Sequence, residues 1–208
     1  MSEQSLRGNG ETGFGPLLRL GALLLALTLA GCAPPQPEFK NTDVTGSDCC
    51  RDFRLTDHNG NTRTLTDFRG KAVVIFFGYT QCPDVCPTTM AEMKSVLQQL
   101  GAEAQRVQVL FVTLDPERDT RELLANYVPA FDPGFLGLYG DLETTAKTAK
   151  EFRVFYQKQP GPTPGSYTLD HSAGSYVFDP QGRVRLFVRH GDGGANLAAD
   201  LRTLLKQG

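Results

Sequence analysis

Ala72 to Phe77 is an unbroken run of apolar, β-branched and aromatic residues, the pattern of a strand covered on both faces. Val107 to Thr113 repeats it. Between them Met90, Met93, Val96, Leu97 and Leu100 recur at helical spacing and stop at Gly101, so the stretch reads as a βαβ unit. Upstream, Phe53-Arg54-Leu55 and Thr62 to Leu65 flank the turn signal Asn59-Gly60-Asn61 and predict a small hairpin. Downstream, Asp119 to Tyr127 predicts a second helix and Asp141 to Phe152 a third, with Phe135 to Tyr139 a short extended piece between them. Ser175 to Phe178 and Val184 to Val188 surround Asp179-Pro180-Gln181-Gly182, a hairpin, and Ala195 to Leu205 closes the chain as an amphipathic helix. A βαβ half followed by a ββα half is the order of a thioredoxin-like α/β fold. The first hairpin would be an N-terminal addition, and Leu136 to Pro164 an insertion between the halves.

The N-terminal pattern differs. Leu17 to Leu29 is an apolar run with Arg7 and Arg19 at its start, too short for an ordinary membrane span of about 20 residues and ending in small residues. Leu29-Ala30-Gly31-Cys32 resembles the bacterial lipobox, in which the cysteine is acylated and becomes the first residue of the mature chain. The expectation is a signal peptide over 1–31, a Pro-rich flexible tether over 32–48, and a folded head over 49–208. It places the head outside the cytoplasm, on the periplasmic or extracytoplasmic side of a bacterial membrane, held by lipid on Cys32. Charge adds one exclusion: 21 basic against 23 acidic residues, scattered rather than gathered into a stripe, argue against nucleic acid as a partner.

Besides Cys32 there are four cysteines, Cys49, Cys50, Cys82 and Cys86. Cys82-Pro83-Asp84-Val85-Cys86-Pro87 runs directly from a predicted strand into a predicted helix. Residues four apart in a helical turn share a face, within reach of one disulfide or one metal ion. A helix N-terminus also favours the thiolate. A structural disulfide is the alternative reading of the spacing and needs no third group. Two soft thiolates suit copper(I), zinc or iron, and a nitrogen donor would complete a three-coordinate copper site. Of three histidines, His58 lies in a polar turn and is expected to be solvated, and His190 precedes a Gly-rich surface loop. His171 lies just before the Ser175 strand, where a thioredoxin-like fold faces the cysteine loop.

Phe77 to Pro87, then Val112 to Thr120 with its Asp115-Pro116-Glu117-Arg118-Asp119, then Asp170-His171-Ser172 with Asp179 to Gly182, resemble the three blocks of the Sco/SenC family. The resemblance implies one copper ion per head, bound by Cys82, Cys86 and His171. It also implies a role in assembling the binuclear copper centre of cytochrome c oxidase, whose copper-bearing subunit would be the partner. A copper donor protein or a thiol reductase would be further partners. Asp115 and Asp170 would support the site, although Asp115 is equally a turn former before Pro116. Cys49 and Cys50 fall outside the family pattern; a strained vicinal disulfide, pairing between molecules and free thiols are the alternatives, and the pair is expected to be peripheral.

Copper carriage, without enzymatic turnover, is one function class. Thiol–disulfide exchange by a redox-active Cys82–Cys86 pair is another, which would keep a target's cysteines reduced. A thiol peroxidase and a redox or copper sensor are two more. Three residues between the cysteines, rather than the two of the redox enzymes, and a histidine before the later strand favour metal binding.

Overall fold

In the computed structural model of the chain, which describes residues 38–207, ten strands and four helices follow in order. They are β1 (Thr42–Asp43), β2 (Leu55–Asp57), β3 (Thr62–Arg63), β4 (Ala72–Gly78), α1 (Val85–Leu100), β5 (Val107–Thr113), α2 (Arg121–Tyr127), β6 (Leu136–Tyr139), α3 (Leu142–Glu151), β7 (Tyr156–Pro160), β8 (Tyr167–His171), β9 (Gly174–Phe178), β10 (Val184–Arg189) and α4 (Gly194–Leu205). Eight strands form one sheet in the order β1-β10-β9-β4-β5-β6-β2-β3, and β7 pairs with β8 in a separate ribbon. The fold is the expected thioredoxin-like one. Strands β4, β5 and β6 run parallel, and β9 lies antiparallel on the other side of β4.

Every residue of β4 and β5 is buried, as their unbroken apolar runs require. Neighbouring side chains of β4 point to opposite faces. Phe76 packs towards Phe111, whereas Phe77 meets Phe152 just beyond α3, with ring centroids 5.1 Å apart. Helix α1 buries Cys86, Met90, Met93, Val96 and Leu100 and packs against α4. Two helices start later than their sequence pattern implied because the polar residues that open each pattern lie at or before the cap. Thr120 accepts from the Leu123 amide at 3.2 Å, and Asp141 from the Thr144 amide at 2.7 Å.

Three expectations need correction. The segment taken as an insertion begins with β6, which pairs with β5 and with β2 and is integral to the sheet. The far end of the tether is part of the head. Asp200 on α4 accepts from the backbone amides of Lys40 and Asn41 and from the Asn41 side chain, and β1 adds to the sheet edge on β10. His58 is buried, not solvated. Its Nδ1 accepts the Gly137 amide at 3.0 Å, and burial lowers its pKa, which keeps that nitrogen free to accept. The predicted signal peptide, Cys32 and the tether before residue 38 lie outside the described residues. Among the described residues no helix is long and apolar enough to cross a membrane.

Candidate metal centre

Gly78 and Thr113 are partners at the carboxyl ends of β4 and β5, so the loops leaving them emerge side by side. Open α/β sheets place their chemistry at such an edge. The first loop carries Cys82 and runs into α1, whose second residue is Cys86. Only Cys86 is helical, so a shared helical face is not what joins the thiols. The loop folds back instead, and Cys82 Sγ accepts the Cys86 amide at 3.4 Å, taking the capping role that the Asp84 side chain leaves unfilled. Pro87 fits within the first turn, where its missing N–H has no intrahelical partner to lose. Cys86 is fully buried beneath the loop, and Cys82 is half-buried. Gly78 makes the approach feasible: a Cβ there would lie 2.8 Å from Cys86 Sγ and 2.9 Å from the Phe76 ring.

The third donor arrives on a ribbon that the sequence did not suggest. Tyr156 to His171, expected to be part of a loop rich in Pro and Gly, folds as the β7–β8 hairpin, closed at its tip where the Gly161 amide donates to the Ser166 carbonyl. His171 ends β8 with Nε2 3.6 Å from Cys86 Sγ. Its Nδ1 stands 3.0 Å from the Ser172 carbonyl. A carbonyl only accepts, so Nδ1 carries the proton and Nε2 presents a lone pair to the sulfurs. Burial lowers the His171 pKa, which keeps the ring neutral at neutral pH. Tyr79 and Phe76 meet the imidazole edge-on at 6.0 and 6.3 Å.

The ligand atoms of Cys82, Cys86 and His171 all lie within 4.8 Å of one another. With bonds of about 2.3 Å to sulfur and 2.1 Å to nitrogen, typical of protein zinc and similar for other soft ions, the 3.6 Å Cys86–His171 separation subtends roughly 110° at a shared ion. That is the tetrahedral angle and close to the trigonal one, so the pair fits a site of three donors or of three donors plus an incoming ligand. Burial pushes the Cys86 thiol pKa well up, partly offset by the Tyr79 amide. Without a cation, Cys86 therefore keeps its proton, and the helix N-terminus does not overcome its desolvation.

A second layer fixes the loops. Asp119, buried and with its pKa raised by desolvation, accepts from the Thr80 hydroxyl at 2.6 Å, the Thr80 amide at 3.0 Å and the Thr113 hydroxyl at 2.6 Å. It pins the start of the cysteine loop to β5. Asp115 forms the expected turn and also bonds to the ribbon. Its carbonyl closes the turn to Arg118 and Asp119, while its buried carboxylate accepts from Arg118 Nε and, at 2.8 Å, from the Tyr167 hydroxyl. Arg118 in turn stacks on the Tyr167 ring and donates to the Tyr167 carbonyl and to Gln81, clamping the ribbon to the cysteine loop. Asp170 is exposed, and its carboxylate accepts from Gln159 at 2.8 Å; its bond runs along the ribbon rather than to His171. Arg118 and Asp119 stood in a recognised block with no role given to them, and nothing local marked Tyr167. His190 is exposed as expected, with Nδ1 3.2 Å from Thr89 Oγ1 on α1. A cleft of about 330 Å³ opens beside Tyr79, Cys82, Pro83 and His171.

A family profile described as SCO1/SenC matches residues 41–206. The bovine protein named Protein SCO2 homolog, mitochondrial (Bos taurus) is 44% identical over 133 residues, 63% of this chain and 50% of that protein. The human Protein SCO1 homolog, mitochondrial is 35% identical over 161 residues, 74% of this chain and 54% of that protein. The chain thus spans about half the length of these curated relatives. Among solved structures, ScoI of Bradyrhizobium japonicum with copper bound is 42% identical, covers 74% of this chain and 97% of that one, and superposes with a TM-score of 0.68. Apo Sco1 of Thermus thermophilus is 40% identical, with coverage of 82% and 99% and a TM-score of 0.71.

Proposed function

The chain belongs to the SCO1/SenC family, and from that premise we propose that Cys82, Cys86 and His171 hold one copper(I) ion as cargo for assembly of the binuclear copper centre of cytochrome c oxidase. One observation carries the reading: two sulfurs and an unprotonated imidazole nitrogen converge within 4.8 Å beside an open cleft. Two thiolates and one nitrogen are a soft donor set, and three-coordination leaves room for an incoming ligand of a partner. The copper-bound ScoI structure of Bradyrhizobium japonicum supports the choice of metal.

The residues divide the task. His171 enters already neutral and aimed by the Ser172 carbonyl, so it surrenders no proton on binding. Cys86 is protonated and buried, so loading releases its proton and ties affinity to pH. Cys82 borders the cleft and is the sulfur a partner's ligand reaches first. Arg118 and Asp119 keep the ribbon and the cysteine loop in register around the site. Oxidation of the pair to a disulfide removes both sulfur donors, so loaded and oxidised forms exclude one another.

Anaerobic titration of the reduced chain with copper(I) against a competing chelator tests this. The expected result is one tightly held ion, lost in Cys82→Ser. Absence of tight binding, with a pair that readily exchanges with other disulfides, would make the chain a thiol oxidoreductase instead. The pattern ending in Leu29-Ala30-Gly31-Cys32 supports a lipid anchor holding the head outside the cytoplasm. In a bacterial host Cys32→Ser is expected to accumulate as unprocessed precursor, read by mass; normal maturation would remove the anchor from the proposal.

A further inference from the structure

Cys49 and Cys50 stand apart from the metal site, and their placement is specific. Adjacent side chains on extended backbone point in opposite directions. Here Cys50 adopts φ +61°, one of two non-glycine residues at positive φ among the described residues. That conformation costs an L-residue about 1–2 kcal/mol. It is held by the Cys50 amide donating to the Glu151 carbonyl at 3.0 Å and, next along the chain, by the Arg51 amide and Nε donating to the Glu151 carboxylate. The result is that both sulfurs point the same way and lie 2.7 Å apart. Non-bonded carbon atoms already prefer about 3.5–4.0 Å, and a disulfide bond is about 2.05 Å. The two thiols are poised for bond formation.

Cys50 lies under Tyr176, whose ring meets Phe152, and Phe152 meets Phe77. Cys86 sits against Phe76, which points to the other face of β4. The two thiol pairs therefore occupy opposite faces of the sheet and cannot exchange with one another directly. Cys49, although buried, lines two clefts of its own. It borders a cleft of about 440 Å³ with Ser47, Arg51 and Arg183, and another of about 250 Å³ with Asp48, Lys150 and Arg153. Cys50 touches only the first of these.

We infer that Cys49 and Cys50 form a second dithiol–disulfide couple, which exchanges with low-molecular-weight disulfides independently of the metal site. Cys49 loses its proton to solvent and attacks one sulfur of the small disulfide. A mixed disulfide forms on Cys49, and one small thiol leaves. The Cys50 sulfur then attacks Cys49 Sγ as its proton passes to the departing sulfur, closing the vicinal bond and releasing the second small thiol. Two electrons and two protons pass from the cysteine pair to the small disulfide. A trans peptide holds adjacent Cα atoms about 3.8 Å apart, below the usual disulfide span of about 4.4–6.8 Å. The closed form is therefore readily reduced, as befits a reversible couple rather than a structural staple.

Trypsin reports on this pair cleanly, because residues 41–51, between Lys40 and Arg51, contain these two cysteines and no other. The reduced full chain is treated with glutathione disulfide, quenched in acid, alkylated under denaturing conditions and digested. The expected 41–51 peptide is two hydrogens lighter than its reduced form and takes up no alkyl group; a mild monothiol restores double alkylation. In Cys50→Ser the reaction stops at a glutathione adduct on Cys49. Double alkylation of 41–51 after the disulfide treatment, crosslinking to another peptide, or no adduct in Cys50→Ser would each overturn the inference.

Discussion

Replacing His171 with alanine is expected to lower copper(I) affinity by more than about 100-fold while the chain stays folded. Residues that merely support a metal ligand are worth about 10–100-fold, and His171 is placed as a ligand itself, with Nε2 turned to Cys86 by the hydrogen bond that Nδ1–H donates to the Ser172 carbonyl. The variant keeps both sulfurs, so it should still bind copper, but as a weaker two-donor site. The neighbouring Asp170 supplies the control. Its carboxylate is exposed and bonded to Gln159, and such a contact is worth under about 1 kcal/mol, or less than about fivefold in affinity, in Asp170→Ala. Competition titrations of both variants, with circular dichroism to follow the fold, decide the matter. Wild-type affinity in His171→Ala would remove the histidine from the site, and an equal loss in Asp170→Ala would give the ribbon rather than the imidazole the credit.

The contrast between these neighbours shows where the sequence was readable. Strands β4 and β5 announced themselves because a strand covered on both faces must be apolar at every position. The cysteine pair was legible from its place between β4 and α1, although the loop rather than the helix brings the sulfurs together. His171 was identified by fold and family resemblance, and its real support, the β7–β8 ribbon, was not. Tyr-Gln-Lys-Gln-Pro carries no apolar alternation, so the ribbon has no local signature. It is held from a distance by Arg118 stacking on Tyr167 and by Asp115 accepting the Tyr167 hydroxyl. The burial of His58 and the clasp of Asn41 by Asp200 were hidden for the same reason. Each joins residues far apart in sequence, and each polar side chain looked ready for solvent until its partner was in place.

Asp179 tests whether membership of a recognised block signifies metal binding or folding. The carboxylate is fully buried in the β9–β10 turn. Its Oδ1 accepts the amides of Gln181 and Arg183 at 3.1 and 2.9 Å, and its Oδ2 accepts Arg183 Nε at 2.8 Å and Arg185 Nη1 at 3.3 Å. The Arg185 side chain is only 9% exposed. Asp179→Ala strips the charge partner from that buried guanidinium, and breaking such a pair costs about 3–5 kcal/mol. For a chain of this size each kcal/mol lowers the melting temperature by about 2–4 °C. The turn lies between β9 and β10, at the opposite end of those strands from His171 and Gly174. Urea unfolding should therefore show a lower midpoint at unchanged slope, while copper(I) affinity measured well below the new melting temperature stays near wild type. Asp179→Asn retains the acceptor for the two amides and should lose less stability. A stable Asp179→Ala chain with weakened copper binding would reverse the assignment, because a buried carboxylate with four hydrogen bonds would then be dispensable to the fold it closes.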